Sequence, residues 1–162
     1  MNKEYDKFGG WLLVLFILNA ITSITYISDL TSLLQMRESY NMLAAAYGGM
    51  INIGFYALIV ADGACLGLTI AMLLQFLKRE PVSVKRIISI LIGRVAITVI
   101  AVAIFSITIS SSIPGYSFMD AFDLTLLIPS IFWLLVWYLY FQKSERVKIY
   151  YRLDGSIEEP LV

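Results

Sequence analysis

ALIVADGACLGLTIAMLL, residues 57–74, is an unbroken apolar run carrying a single charge, Asp62. With its flanks it extends from Ile53 to Leu77. A helix needs about 20 apolar residues to cross the ~30 Å of hydrocarbon in a bilayer, so this stretch is long enough to span one. Three further runs have the same character: Trp11–Ile27, Ile87–Ile109 and Leu124–Phe141. In lipid every backbone N–H and C=O must be satisfied within the protein, and a helix does this within one segment. The sequence therefore predicts an all-α, four-helix transmembrane bundle forming one integral-membrane domain over residues 1–162. The spans fall at about 9–28, 52–77, 86–110 and 122–142.

Composition supports this reading. Of 162 residues, 59% are hydrophobic and only 15% charged, against about 25% charged in a typical soluble domain. The first run is expected to be a retained span and not a cleaved leader, because no small-x-small cleavage site follows it and the preceding NKEYDK is not cationic on balance.

The formal net charge is zero, but its distribution is uneven. Lys3 and Lys7 precede the first span. Lys78, Arg79, Lys85 and Arg86 lie between the second and third, and Lys143, Arg146, Lys148 and Arg152 follow the fourth. The opposite loops hold only Arg37. Cytoplasmic loops accumulate Lys and Arg, so both termini are expected in the cytoplasm. Of the outer loops, LTSLLQMRESYNMLAAAY has the composition of a surface helix, and SSSIPGYS offers a turn at Pro114 and Gly115.

Much chemistry is excluded. There is no histidine and one cysteine, Cys65, which removes Ser/His/Asp triads, zinc hydrolase sites, thiolate metal sites and disulfides. No phosphate loop or paired-glycine fingerprint occurs. No cofactor, metal or catalytic residue is expected, and no basic face accumulates that suits nucleic acid.

Phe8, Gly9, Gly10, Trp11 and Leu12, then Lys78, Arg79, Glu80 and Pro81, then Tyr140, Phe141, Ser144, Arg146, Val147 and Lys148 together resemble the bacterial membrane proteins of domain of unknown function 2569. The resemblance extends over the whole chain and implies the bacterial inner membrane, with no established activity. Glu145 stands where that family is often basic, and Tyr150–Tyr151 where it tends to Thr-Phe. All three motif segments map to the expected cytoplasmic face, so Gly9, Gly10, Trp11, Lys78, Arg79, Pro81, Ser144, Arg146 and Lys148 are candidates for a shared surface. Such basic clusters anchor topology and also attract anionic lipid headgroups, at about 1 kcal/mol per residue.

Asp62 itself needs compensation, because a carboxylate at a span's centre costs ~2.5–3.5 kcal/mol on insertion scales. The intramembrane cation is Arg94. Counted from the ends of the apolar runs, it sits roughly 12 Å nearer the cytoplasm, too far for a direct pair to be the favoured arrangement. By matched depth, Thr22, Thr25, Tyr26, Ser106 and Thr125 are the hydroxyls expected near Asp62, whose carboxyl is then neutral and hydrogen-bonded. Asn19, Trp133 and Trp137 are expected near Arg94. Gly63, Gly67 and Ala71 form a small-xxx-small stripe that admits close helix approach, within the chain or across a homodimer.

Two function classes remain. One is a non-enzymatic accessory or scaffold protein that binds lipid or a membrane-protein partner through its cytoplasmic face. The other is a small proton- or cation-coupled transporter using Asp62.

Overall fold

The computed structural model describes residues 9–122 and 124–153, with the side chains at 120, 121, 124–126 and 129 outside that description; Lys3, Lys7, Phe8 and the Thr125 side chain therefore lie outside the described residues. Among the described residues six helices follow in order: α1 (Trp11–Tyr47), α2 (Met50–Leu77), α3 (Pro81–Ser112), α4 (Phe118–Ala121), α5 (Leu124–Lys143) and α6 (Glu145–Tyr150). No strand occurs among the described residues. The first three helices are each long and apolar enough to cross a membrane.

The breaks between helices follow local chemistry. Gly48, at φ 112°, ends α1, and its N–H closes onto the Ala44 carbonyl at 2.9 Å. Pro81 opens α3 at a position where its missing N–H costs nothing, after an extended Glu80. Ser83 clamps this corner by donating its hydroxyl to Gln75 Oε1 at 3.3 Å. The expected Pro114–Gly115 turn is present: Gly115 adopts φ 84°, and Tyr116 N–H bonds the Ile113 carbonyl at 3.2 Å.

One expectation is corrected. The segment after residue 28 does not form a separate surface helix, because α1 continues through it for 37 residues, or ~55 Å. Residues 28–47 contain no Gly or Pro, and Leu, Met, Gln, Arg, Glu and Ala dominate, so nothing stops propagation. Thr31 and Ser32 return their hydroxyls to the carbonyls of Ile27 and Ser28 at 2.8 and 3.0 Å.

This extension packs. Tyr40 stacks on Phe55 at 4.3 Å and meets Phe105 edge-on at 6.3 Å, beside a small core of Ala44, Ile51 and Ile109. The larger core lies at the other end, where Leu12, Leu15, Met72, Phe76, Ile87, Trp137 and Phe141 close over Val147, Tyr150 and Tyr151. Between these two apolar clusters the bundle contains two cavities.

Candidate functional site

Arg94 projects from α3 toward α1. Its Nη1 donates to Asn19 Oδ1 at 2.8 Å and its Nη2 to the Tyr26 hydroxyl at 3.4 Å, with the guanidinium carbon 5.6 Å from the centre of the Tyr26 ring. Asn19 is oriented for this role. Its Nδ2 donates to the Leu15 carbonyl at 2.8 Å, which leaves the amide oxygen facing Arg94. Arg94 Nε is buried without a hydrogen-bond partner, and among the described residues no ion pair reaches the guanidinium.

The side chain borders a cavity of about 390 Å³ between α1, α3 and α5, lined also by Thr98, Ser130, Trp133 and Trp137. Asn19 is thus the Arg94 partner that depth matching identified. Tyr26, expected at Asp62, belongs instead to Arg94 and supplies the ring contact expected of the tryptophans. Trp133 and Trp137 stack on each other at 6.3 Å within the same wall.

Asp62 faces a second cavity, of about 350 Å³, between α1, α2 and α3. Asp29, Ser32 and Thr98 are its polar neighbours there. Of the expected hydroxyl donors, Thr22, Thr25 and Ser106 each bond back to a carbonyl of their own helix, at Leu18, Ile21 and Val102. Polar side chains in a helix commonly satisfy themselves this way. Asp29 was assigned by sequence to an outer loop, and its place in the cavity follows from the uninterrupted α1.

Direction as well as depth separates Asp62 from Arg94. Cys65 approaches Thr98 at 3.9 Å, and Leu68 lies 3.9 Å from where a Gly93 Cβ would be. This antiparallel register puts Asp62 level with about residue 100, roughly six residues or ~9 Å beyond Arg94. The sequence count overstated the gap because α3 begins at Pro81, not near Ile87. The two side chains nonetheless enter different cavities. Thr98 lines both, and its hydroxyl bonds the Arg94 carbonyl at 3.0 Å.

The small-residue stripe does not pack within the chain. Gly63 and Gly67 are exposed, and a Cβ built on either meets nothing within 4 Å; Ala71 is half-buried. The glycine that seats α2 against α3 is Gly54, where a Cβ would collide with Thr108 Oγ1 and come within 3.2 Å of Phe105 Cα. Sequence spacing missed Gly54 because no small residue repeats four places from it within α2.

At the basic end the three motif segments come together. A Cβ on Gly9 or Gly10 would lie 3.4 Å from the Arg146 guanidinium, and Gly10 holds φ 57°. Trp11 follows at the start of α1, 65% exposed. Lys78 caps α2, while Arg79 lies over the Tyr150 ring at 5.1 Å. Ser144 caps α6 by accepting from Val147 N–H at 3.4 Å, and Lys148 sits in the last turn of that helix. The Tyr150 hydroxyl donates to the Phe76 carbonyl at 3.3 Å. Tyr151 is fully buried, and this burial pushes its phenol above the usual tyrosine range, reinforced by the neighbouring Tyr150 and Tyr140.

A family model described as "Protein of unknown function (DUF2569)" matches residues 5–151. No curated protein and no solved structure matches the chain.

Proposed function

The chain belongs to the DUF2569 family, and we propose that it is a four-span protein of the bacterial inner membrane with both termini cytoplasmic, acting as a non-enzymatic accessory protein. In this reading α5 is the fourth span, and the basic end binds anionic lipid headgroups or an acidic membrane-protein partner. One observation carries the reading. The three motif segments converge on the end that holds Lys78, Lys85, Arg86 and Lys143, all exposed; Arg146 lies against Gly9 and Gly10 there, and Tyr150 ties that end to the bundle core through the Phe76 carbonyl.

A cationic surface held on a rigid frame attracts anionic lipid without ordering cost at the moment of binding. The exposed row of Gly63 and Gly67 supports a second contact in this reading, a homodimer or a partner helix.

Two measurements test it. A reporter fused after Val162 should be active only in the cytoplasm. Reconstituted protein should be stabilised by phosphatidylglycerol over phosphatidylcholine, with a dependence on salt that Lys85→Gln/Arg86→Gln reduces. Periplasmic reporter activity, or equal stability in both lipids, refutes the proposal.

The cavity shared by Asp62 and Asp29 favours one alternative, a proton- or cation-coupled transporter. Proton flux through proteoliposomes that Asp62→Asn abolishes would select it.

A further inference from the structure

We propose that the Arg94 cavity binds the anionic oxyacid headgroup, carboxylate or phosphate monoester, of a single-chain amphiphile that enters from the lipid phase. This site is separate from the basic surface and does not depend on it. The first ground is charge. A guanidinium is always protonated and offers five donors. Two are used here, both on the neutral oxygens of Asn19 and Tyr26. No carboxylate of the chain pairs with it among the described residues. Asp62, the nearest candidate in sequence terms, faces the other cavity with Asp29. A cation inside an apolar bundle without a protein counter-ion is best neutralised by an anion supplied from outside.

The second ground is geometry. Asn19 and Tyr26 hold the guanidinium from the α1 side, which fixes its plane and leaves the remaining N–H donors for a planar or tetrahedral oxyanion, the group that a guanidinium fork recognises best. Pre-orientation by Asn19, itself held by the Leu15 carbonyl, reduces the ordering cost of binding.

The third ground is the wall, which decides what carries the anion. Leu15, Leu18, Leu91 and Leu134 with Trp133 and Trp137 make the lining mainly apolar. Trp133 is 50% and Leu18 39% exposed, so the rim at these residues borders the surface that meets acyl chains. Arg94 stands eight residues beyond Arg86, ~12 Å farther along α3. An intact bilayer phospholipid keeps its headgroup at the interface, whereas a single-chain amphiphile can follow its headgroup inward. About 390 Å³ is near the lower end of ligand pockets, ~300–1,000 Å³, and suits a headgroup with its first methylenes.

The test uses the full chain in an uncharged maltoside detergent, in a Trp11→Phe background, so that Trp133 and Trp137 report binding by fluorescence. Dodecanoate, dodecyl phosphate, dodecanol and inorganic phosphate are titrated separately. Saturable binding of at least one anionic amphiphile is expected, with dodecanol and inorganic phosphate each weaker by about tenfold or more. Arg94→Met should weaken the anionic amphiphile about tenfold or more, and Arg94→Lys, which keeps charge but loses the fork, by a smaller factor.

Equal binding of dodecanol would show that the wall alone attracts chains and would overturn the proposal. Equal binding of inorganic phosphate would reassign the site to a free anion and overturn the amphiphile. Retained affinity in Arg94→Met also overturns it. If that variant does not fold, the four-ligand comparison on unaltered Arg94 decides alone. Lys85→Gln/Arg86→Gln should leave this binding unchanged, which keeps its outcome distinct from that of the basic surface.

Discussion

Gly54→Ala is the sharpest test of the packing described here. The added methyl would meet Thr108 Oγ1 well inside contact distance and Phe105 Cα at 3.2 Å. The first clash is relieved if Thr108 rotates, but its hydroxyl bonds the Phe105 carbonyl at 2.8 Å and its side chain is buried. The second involves backbone, so α3 must shift. Overpacking of this kind costs about 1–3 kcal/mol, and for a chain of this size 1 kcal/mol corresponds to ~2–4 °C in Tm. Thermal unfolding in detergent should therefore show a loss of roughly 2–12 °C. Gly67→Ala, which adds a methyl facing nothing within 4 Å, should match the parent or gain slightly, since Ala is the better helix former by up to ~1 kcal/mol. Thr108→Ala should recover part of the Gly54→Ala loss, with a coupling of about 0.5–3 kcal/mol. If Gly54→Ala is tolerated as well as Gly67→Ala, the α2–α3 interface described here is wrong.

Tyr150→Phe should lower stability by about 1 kcal/mol by removing the bond to the Phe76 carbonyl, whereas Tyr151→Phe, whose buried hydroxyl has no partner, should be neutral or stabilising in the same unfolding assay. The raised Tyr151 phenol also sets a pH dependence. Above pH ~10 the unfolded chain releases this proton before the folded one does, so stability falls as pH rises, by at most ~1.4 kcal/mol per pH unit from this group, and Tyr151→Phe should flatten that limb of a stability–pH profile. Gly10→Ala should cost about 1–3 kcal/mol, measured by unfolding, because φ 57° with ψ −138° is a glycine conformation. Asp62→Asn with Arg94→Leu should be close to additive in a double-mutant cycle; a coupling above about 1.5 kcal/mol would show an ion pair that the two-cavity arrangement excludes.

The long apolar helices were legible because hydrocarbon thickness leaves few alternatives for runs such as Ile53–Leu77. The turn at Pro114–Gly115 was legible because Pro and Gly restrict the backbone locally, whereas the start of α3 at Pro81 was set too late, near Ile87, by counting the apolar run alone. Depth placed Asn19 among the candidates beside Arg94, together with Trp133 and Trp137, and the structure pairs it with Arg94. Three features were not. The length of α1 was hidden by polarity, since Ser28, Asp29, Arg37 and Glu38 suggest an exit from the membrane but do nothing to stop a helix. Asp29 was missed for that reason. The azimuth of Asp62 was inaccessible because which side of α2 faces α1 depends on packing around Gly54, Phe55 and Cys65, and an all-apolar helix carries almost no periodic signal of its buried face.

The distribution of packing gives the molecule a division of labour. The large core at the basic end and the Tyr40–Phe55–Phe105 group at the other supply rigid contacts, while the middle holds two cavities and the charges of Asp29, Asp62 and Arg94. Filling that middle with leucine and phenylalanine would satisfy hydrophobic packing and avoid the cost of intramembrane charge, so retained polarity there is hard to account for by stability alone. The two apolar ends hold α1, α2 and α3 in register on either side of the middle, which keeps Asn19 and Tyr26 in place around Arg94 without help from the middle itself. Changes at the ends, such as Gly54→Ala or Tyr150→Phe, should then lower Tm without altering ligand affinity in the fraction that remains folded. Arg94→Lys should do the reverse, lowering affinity while moving Tm little. Stability and binding that instead fell in proportion across all of these variants would mean that the cavities are packing defects and not sites.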